Sequence, residues 1–234
     1  MTESSSMSSD RTGKIIRAVG GFYFVWCRED GRTYQCRARG VFRKDSFKPL
    51  VGDNCIFRLT RAQDVEGYVE TIAKRSNRLI RPPVANVDQA LVLFAFTSPE
   101  PNFQLLDRFL IEMRRQTIPT VICFNKMDLA CSQDREEVLE MYRRSGCRVL
   151  SVSVLKKEGL EQIKELMQGK TTVLAGPSGV GKSSLTNYLC PDAGMEVGAL
   201  SVRTERGKQT TRHAELFAAG GNTFFFDTPG FSSL

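Results

Sequence analysis

A chain of 234 residues with 41% apolar and 25% charged side chains has room for two buried cores and is neither disordered nor fibrous in composition. No apolar run approaches the roughly 18 residues of a membrane span, so no membrane partner is expected. The net charge of +7 is unevenly placed: residues 1–85 hold 16 Lys/Arg against 9 Asp/Glu, and the remainder is balanced at 17 of each. A basic module on a neutral body suggests attachment to a polyanion.

In chain order, residues 1–10 are Ser-rich and lack a basic, apolar signal segment, so a disordered tail and a cytoplasmic location are expected. Residues 11–80 hold five short apolar or alternating runs: Gly13–Val19, Phe22–Cys27, Thr33–Ala38, Asn54–Leu59 and Glu66–Ile72. Separated by Gly-containing turns, they predict a small, OB-like β-barrel. Arg37, Arg39, Arg43, Lys44 and Lys48 cluster on one connection, and Lys74, Arg75, Arg78 and Arg81 follow the last run. Phe22, Tyr23, Phe24 and Tyr34 are interleaved with them, a mixture that can track a nucleic-acid backbone and stack bases. At least half of these aromatics are expected to fill the barrel instead. Residues 81–88, with two adjacent prolines, read as a linker.

From residue 89 the pattern changes. The continuous apolar run Gln89–Phe96 predicts a strand covered on both faces. Helices at 102–116, 133–144 and 159–167 alternate with strands at 118–124, 148–153 and 171–175. A helix after Lys182 and a hairpin at 213–218 and 222–227 complete an α/β domain over 89–234. The seven cysteines are scattered and form no CxxC pair, so reduced, mostly structural thiols are expected. His213 is the only histidine, which excludes a metal site built on several.

The chemistry lies in this second domain. Gly176-Pro177-Ser178-Gly179-Val180-Gly181-Lys182-Ser183, followed by Ser184, fits GxxxxGK[ST] between a strand and a helix. Such a loop turns its N–H groups onto phosphates, and the helix N-terminus adds partial positive charge. Lys182 should span the β- and γ-phosphates and Ser183 should hold Mg²⁺. Asn125-Lys126-Met127-Asp128 fits NKxD: one carboxylate, Asp128, can accept the paired N–H donors of guanine, which adenine lacks. Asn125 should tether the P-loop or meet the base edge, and the Lys126 stem can lie over the base. The loop at Ser153 and Val154 can place a backbone N–H against the guanine carbonyl. Asp227-Thr228-Pro229-Gly230 fits DxxG, with Asp227 toward Mg²⁺ and Gly230 toward the γ-phosphate. Within Arg206–Arg212, Thr211 is chosen over Thr210 as the switch threonine and third Mg²⁺ contact.

The order is diagnostic. The guanine-reading motifs precede the P-loop and DxxG comes last, so the domain reads as a circularly permuted P-loop GTPase. With a barrel in front, NKMD, GPSGVGKSS, RGKQTTRH and DTPGF, the whole chain resembles the RsgA family. That resemblance implies Mg²⁺-dependent hydrolysis of GTP to GDP, stimulated by the small ribosomal subunit, with rRNA binding, late subunit maturation and a monomeric protein. It also implies a C-terminal zinc-binding helical domain. No Cys/His cluster follows Gly230, so the GTPase domain is expected to be incomplete at its C-terminus and Zn²⁺ is expected only outside this chain. Gln209 stands where the family usually has His, and Phe231 follows DxxG in place of a water-orienting Gln. Two alternatives follow: a GTP-gated RNA-binding module with negligible hydrolysis, or a permuted GTPase of the large subunit, against which the basic barrel argues.

Overall fold

The computed structural model describes residues 10–39, 42, 47–60, 64–80, 83–191 and 215–227. The chain divides into two compact units, the first running to Asn86 and also taking in Glu215 and Leu216, the second beginning at Val87.

In the first unit, β1 (Arg11–Val19), β2 (Phe22–Cys27), β3 (Thr33–Ala38), β4 (Asn54–Leu59) and β5 (Glu66–Ile72) close a barrel in the order β1-β2-β3-β5-β4. Only β3 and β5 pair in parallel; the other pairs are antiparallel. Alternation drives this fold: Ile15, Val25, Cys36, Phe57 and Val69 are fully buried in one cluster. The β1–β2 register slips between Ile15 and Arg17, a bulge of the kind that bends a strand at a barrel corner. Burial pushes the Cys36 thiol up to about 12 and raises Cys55 and Cys123 further. These are inert, packed thiols.

The turn between β2 and β3 is tied to β1 by carboxylates. Glu29 accepts from the Thr12 backbone N–H (2.9 Å), Thr12 Oγ1 (2.8 Å) and Cys27 Sγ (2.8 Å). Burial pushes Glu29 up, but these bonds outweigh it and hold the group at about 2. Asp30 accepts from the Tyr34 hydroxyl (2.6 Å) and Arg11 (2.8 Å), and the Tyr34 bond leads in holding it at about 2. Both carboxylates have folded pKa values below their ordinary ones. Their stabilisation is therefore present above the ordinary carboxylate range and is lost as pH falls from about 4.5 to about 2. The barrel's thermal midpoint should drop through that window. A Glu29→Gln, Asp30→Asn double variant should melt lower at neutral pH and show a shallower drop.

Where it is described, the 81–88 stretch is largely buried. Val84 and Ala85 are fully buried. Ala85 donates its N–H to Val51 O (2.9 Å), and Leu79 donates to Val84 O (2.9 Å). Asn86 accepts from the Ser76 N–H (2.9 Å) and donates to Gly52 O (3.0 Å). Apolar side chains after the two prolines can be buried only by folding back, so the barrel unit continues to Asn86.

The second unit is a six-stranded sheet in the order β10-β11-β9-β6-β7-β8. Its strands are β6 (Gln89–Ala95), β7 (Thr120–Asn125), β8 (Arg148–Ser151), β9 (Thr171–Ala175), β10 (Glu215–Ala218) and β11 (Phe224–Asp227). β11, β9, β6, β7 and β8 are parallel to one another. Every residue of β6 and β9 is buried, as helices over a parallel sheet require. Helices α1 (Phe103–Arg115), α2 (Ser132–Arg143), α3 (Leu160–Met167) and α4 (Lys182–Leu189) supply the cover. α1 starts at Asn102, whose side chain accepts the Leu105 N–H, and buries Leu106, Phe109 and Met113 at helical spacing. Cys131 caps α2 in the same way. Among the described residues no helix is long and apolar enough to cross a membrane.

Candidate active site

In an open parallel sheet, ligands bind beyond the carboxyl ends of the strands. That edge gathers the motifs: NKMD leaves β7, the Ser153 loop leaves β8, the P-loop leaves β9, and Asp227 ends β11. Because β6 and β9 pair, the NKMD segment and the P-loop leave strands of one sheet despite the permuted order.

The P-loop is built on close backbone approach. Gly176 has φ 143°, and a Cβ there would lie 2.0 Å from Leu93 O. Gly181 has φ 103°, and a Cβ there would meet Asn125 Nδ2 at 2.3 Å. Only glycine satisfies both conditions. Lys182 opens α4 and donates to Gly176 O (2.8 Å) and Pro177 O (2.6 Å). Ser183 and Ser184 follow in the first turn, half-buried, while Ser178 and Gly179 are exposed at the loop's tip.

Asn125 is the brace between the two halves. It is buried, donates through Nδ2 to Val180 O (2.8 Å), and accepts at Oδ1 from the Val154 N–H (2.9 Å). Of the two roles expected for Asn125, the geometry has it tethering the P-loop. The Val154 N–H expected to meet a guanine carbonyl is donated to Asn125 instead. Ser153 is fully buried, exchanges two backbone hydrogen bonds with Glu158 and accepts the Lys156 N–H at Oγ (3.1 Å). The loop is thus fixed before any ligand arrives.

Asn125, Lys126, Asp128 and Val154 line a cleft of about 830 Å³ together with Gly181 and Ser184. That volume is in the range of small-molecule sites. Asp128 lies in a short 3-10 turn (Met127–Leu129) and is exposed. Lys126 adopts φ 61° and donates its ammonium to Ser98 O. Sequence reasoning did not single out Leu129, Leu155 and Tyr188, which also line the cleft. Leu155 is 80% exposed, a property its sequence position does not show.

β11 pairs Asp227 with Leu174, two residues before the P-loop. Gln209, Thr210, Thr211, His213, Thr228, Gly230 and Phe231 lie outside the described residues. Among the described residues, no group of three or more His, Cys, Asp or Glu is arranged to hold a metal ion.

The barrel's aromatics divide by face. Tyr34 is buried and Tyr23 packs against the core. Phe22 and Phe24 alternate with the buried Val25 and Cys27 and carry guanidinium groups over their rings, Arg37 at 4.6 Å and Arg17 at 4.0 Å. Of the basic residues, Arg39 pairs with Glu70 (2.8 Å) and Arg75 with Asp53 (2.7 Å), while Lys74 and Arg78 are exposed. Arg43, Lys44 and Arg81 lie outside the described residues.

Comparison with known proteins agrees over both units. The family described as RsgA GTPase matches residues 72–234, and the RsgA N-terminal domain matches residues 12–69. The small ribosomal subunit biogenesis GTPase RsgA of Agathobacter rectalis is 47% identical over 232 residues, covering 95% of this chain and 77% of that protein. The protein of the same name from Alkaliphilus metalliredigens is 45% identical over 222 residues, covering 95% and 75%. Among solved structures, YjeQ from Thermotoga maritima superposes with a TM-score of 0.78 at 31% identity, covering 96% of this chain and 76% of that one. YloQ, described as a circularly permuted GTPase, superposes with a TM-score of 0.76 at 39% identity, covering 100% and 75%.

Proposed function

The chain belongs to the RsgA family of GTPases, and from that premise we propose that its GTP hydrolysis serves late maturation of the small ribosomal subunit, with the barrel binding rRNA and the subunit stimulating turnover. The protein is a GTP hydrolase of a family acting in ribosome biogenesis. The observation that carries the finer reading is the barrel face, where Arg17 and Arg37 lie over Phe24 and Phe22 on the module holding all the excess charge.

In the hydrolytic site, Asp128 accepts the guanine N–H pair and Lys126 covers the base. The P-loop N–H groups and Lys182 take up phosphate charge. Mg²⁺ would be held by oxygen donors, with Ser183 in the first turn of α4 and Asp227 at the end of β11 as the residues to supply them. When bound, it would neutralise charge on the β- and γ-phosphates. Thr211 would complete that donor set, and the Gly230 N–H would face the γ-phosphate.

Asp128→Asn should cost about 2–4 kcal/mol of GDP affinity, because an amide cannot accept both guanine donors and leaves one unpaired. Titration of GDP and ADP against both proteins checks this, and equal affinities in the unaltered protein would refute the guanine site. On the barrel, changing Arg37, Lys74 and Arg78 to Gln should weaken binding to unrelated RNA sequences about equally. Each lost phosphate contact should flatten the salt dependence by about one unit of slope. RNA affinity indifferent to salt would refute electrostatic attachment.

A further inference from the structure

The barrel carries a recess of about 580 Å³ that the nucleotide chemistry does not use. Its wall is formed by the Gly20–Gly21 turn, the rings of Phe22, Phe42 and Phe47, and the side chains of Arg37 and Lys48. We propose that this recess receives a single unpaired nucleobase, so that the barrel prefers single-stranded or bulged RNA to continuous duplex. The proposal rests on reading the barrel as an RNA-binding module and names the feature of RNA that it selects.

Three observations converge. First, the recess is lined by aromatic side chains that already keep company with cations. The Arg37 guanidinium lies 4.6 Å from the Phe22 centroid and that of Arg75 lies 4.5 Å from Phe47. Phe42 and Phe47 sit together at 6.2 Å, tilted by 37°. A base has a π face that stacks on such surfaces whatever its identity. Paired bases in a duplex have their faces buried against each other and cannot enter.

Second, the wall is held in place. Arg75 donates from Nε and Nη2 to the two carboxylate oxygens of the fully buried Asp53, both at 2.7 Å, and from Nη2 to Lys48 O at 2.9 Å. Asp53 in turn accepts the Leu50 N–H at 2.8 Å. The cation over Phe47 is therefore anchored to the core, and little side-chain entropy remains to be lost on binding.

Third, the recess is both apolar and cationic. An aliphatic side chain from a protein partner would leave Arg37 and Lys48 facing it without a counter-charge. A free phosphate would leave three rings unused. A nucleotide answers both needs, with its base on the rings and its phosphate beside the cations. Gly20 and Gly21 have φ of 58° and 82°, and a Cβ on either would meet nothing within 4 Å, so the turn side is open for entry.

The test compares three RNAs by fluorescence anisotropy against the whole chain: a short single strand, a fully paired hairpin, and that hairpin with one bulged fluorescent aminopurine. The single strand and the bulged hairpin should bind about tenfold tighter than the paired one, with aminopurine emission quenched on binding. Phe47→Leu should remove about tenfold of affinity for the bulged hairpin and leave the paired one unchanged, while Phe47→Tyr should retain it. Phe47 is 37% exposed, so its replacement does not open the core; Phe22→Leu, checked for an unchanged melting temperature, is the second variant. Equal binding of paired and bulged hairpins, or equal losses on both in the leucine variants, overturns the base recess and leaves electrostatic RNA binding standing. Failure of the unaltered protein to bind any of the three at low salt overturns both.

Discussion

Lys182→Ala is expected to abolish Mg²⁺-dependent GTP turnover, with a loss of at least about 10²–10³-fold, the scale seen when one preorganised donor to developing charge is removed. Lys182 donates to the carbonyls of Gly176 and Pro177, which fixes its ammonium over the loop where phosphates would lie. Ser183→Ala should have a comparable effect by removing a metal-directed hydroxyl. Gly176→Ala should act differently. A methyl group 2.0 Å from Leu93 O at φ 143° cannot be accommodated without moving the loop. That variant should lose nucleotide binding itself, whereas Lys182→Ala should lose turnover well beyond its loss of affinity. Stopped-flow binding of a fluorescent GDP beside single-turnover hydrolysis separates the two. The barrel should melt unchanged in all three variants, because the barrel and sheet clusters share no residue. Turnover by Lys182→Ala at the unaltered rate would show that the phosphate site is wrongly placed.

The GxxxxGK[ST] and NKxD segments were legible as motifs because the chemistry expected of them needs particular residues at fixed spacing. A backbone cradle demands glycines at defined positions, and guanine's donor pair demands a carboxylate. The permuted order was legible for the same reason, since each motif sits directly after a strand-like run. Facing was harder. Period-two alternation in Phe22–Cys27 does not say which set points inward, and the slip between Ile15 and Arg17 shifts the pairing that would decide it. Tyr34 therefore looked equivalent to Phe22, although it is buried and hydrogen-bonded to Asp30. Contacts between loops of different strands were not legible at all. The Ser98 carbonyl that receives Lys126, and Pro99 at 3.6 Å from where a Cβ on Gly179 would sit, follow β6, far in sequence from the motifs they touch. The dual role of Asn125 was only half legible: its amide can both donate and accept, but Val180 and Val154 become its partners only in the folded sheet.

Small ribosomal subunits are expected to raise GTP turnover by orders of magnitude, and large subunits are not. Phe231 cannot orient water by hydrogen bonding. Asp227 is proposed for the metal and Asp128 for the base. The remaining candidates, Gln209 and Thr211, belong to the segment between α4 and β10. Slow intrinsic hydrolysis follows when no group holds the attacking water in line. A docked partner can supply order by fixing that segment over the γ-phosphate, with the entropy of fixing it offset by contacts to rRNA. The barrel's charge then brings the protein to its activator, so stimulation should weaken as salt rises and in the Arg37, Lys74 and Arg78 variants. Gln209→Ala and Thr211→Ala should each lower the stimulated rate. Thr211→Ala should also weaken its Mg²⁺ dependence, and Gln209→Ala should leave nucleotide affinity intact. Multiple-turnover phosphate release, measured with purified subunits of each size over a range of salt, reads all of these. Rapid turnover by the free protein, unchanged by either subunit, would overturn the coupling of hydrolysis to docking, while loss of stimulation in the barrel variants alone would place recognition of the subunit in the first 86 residues.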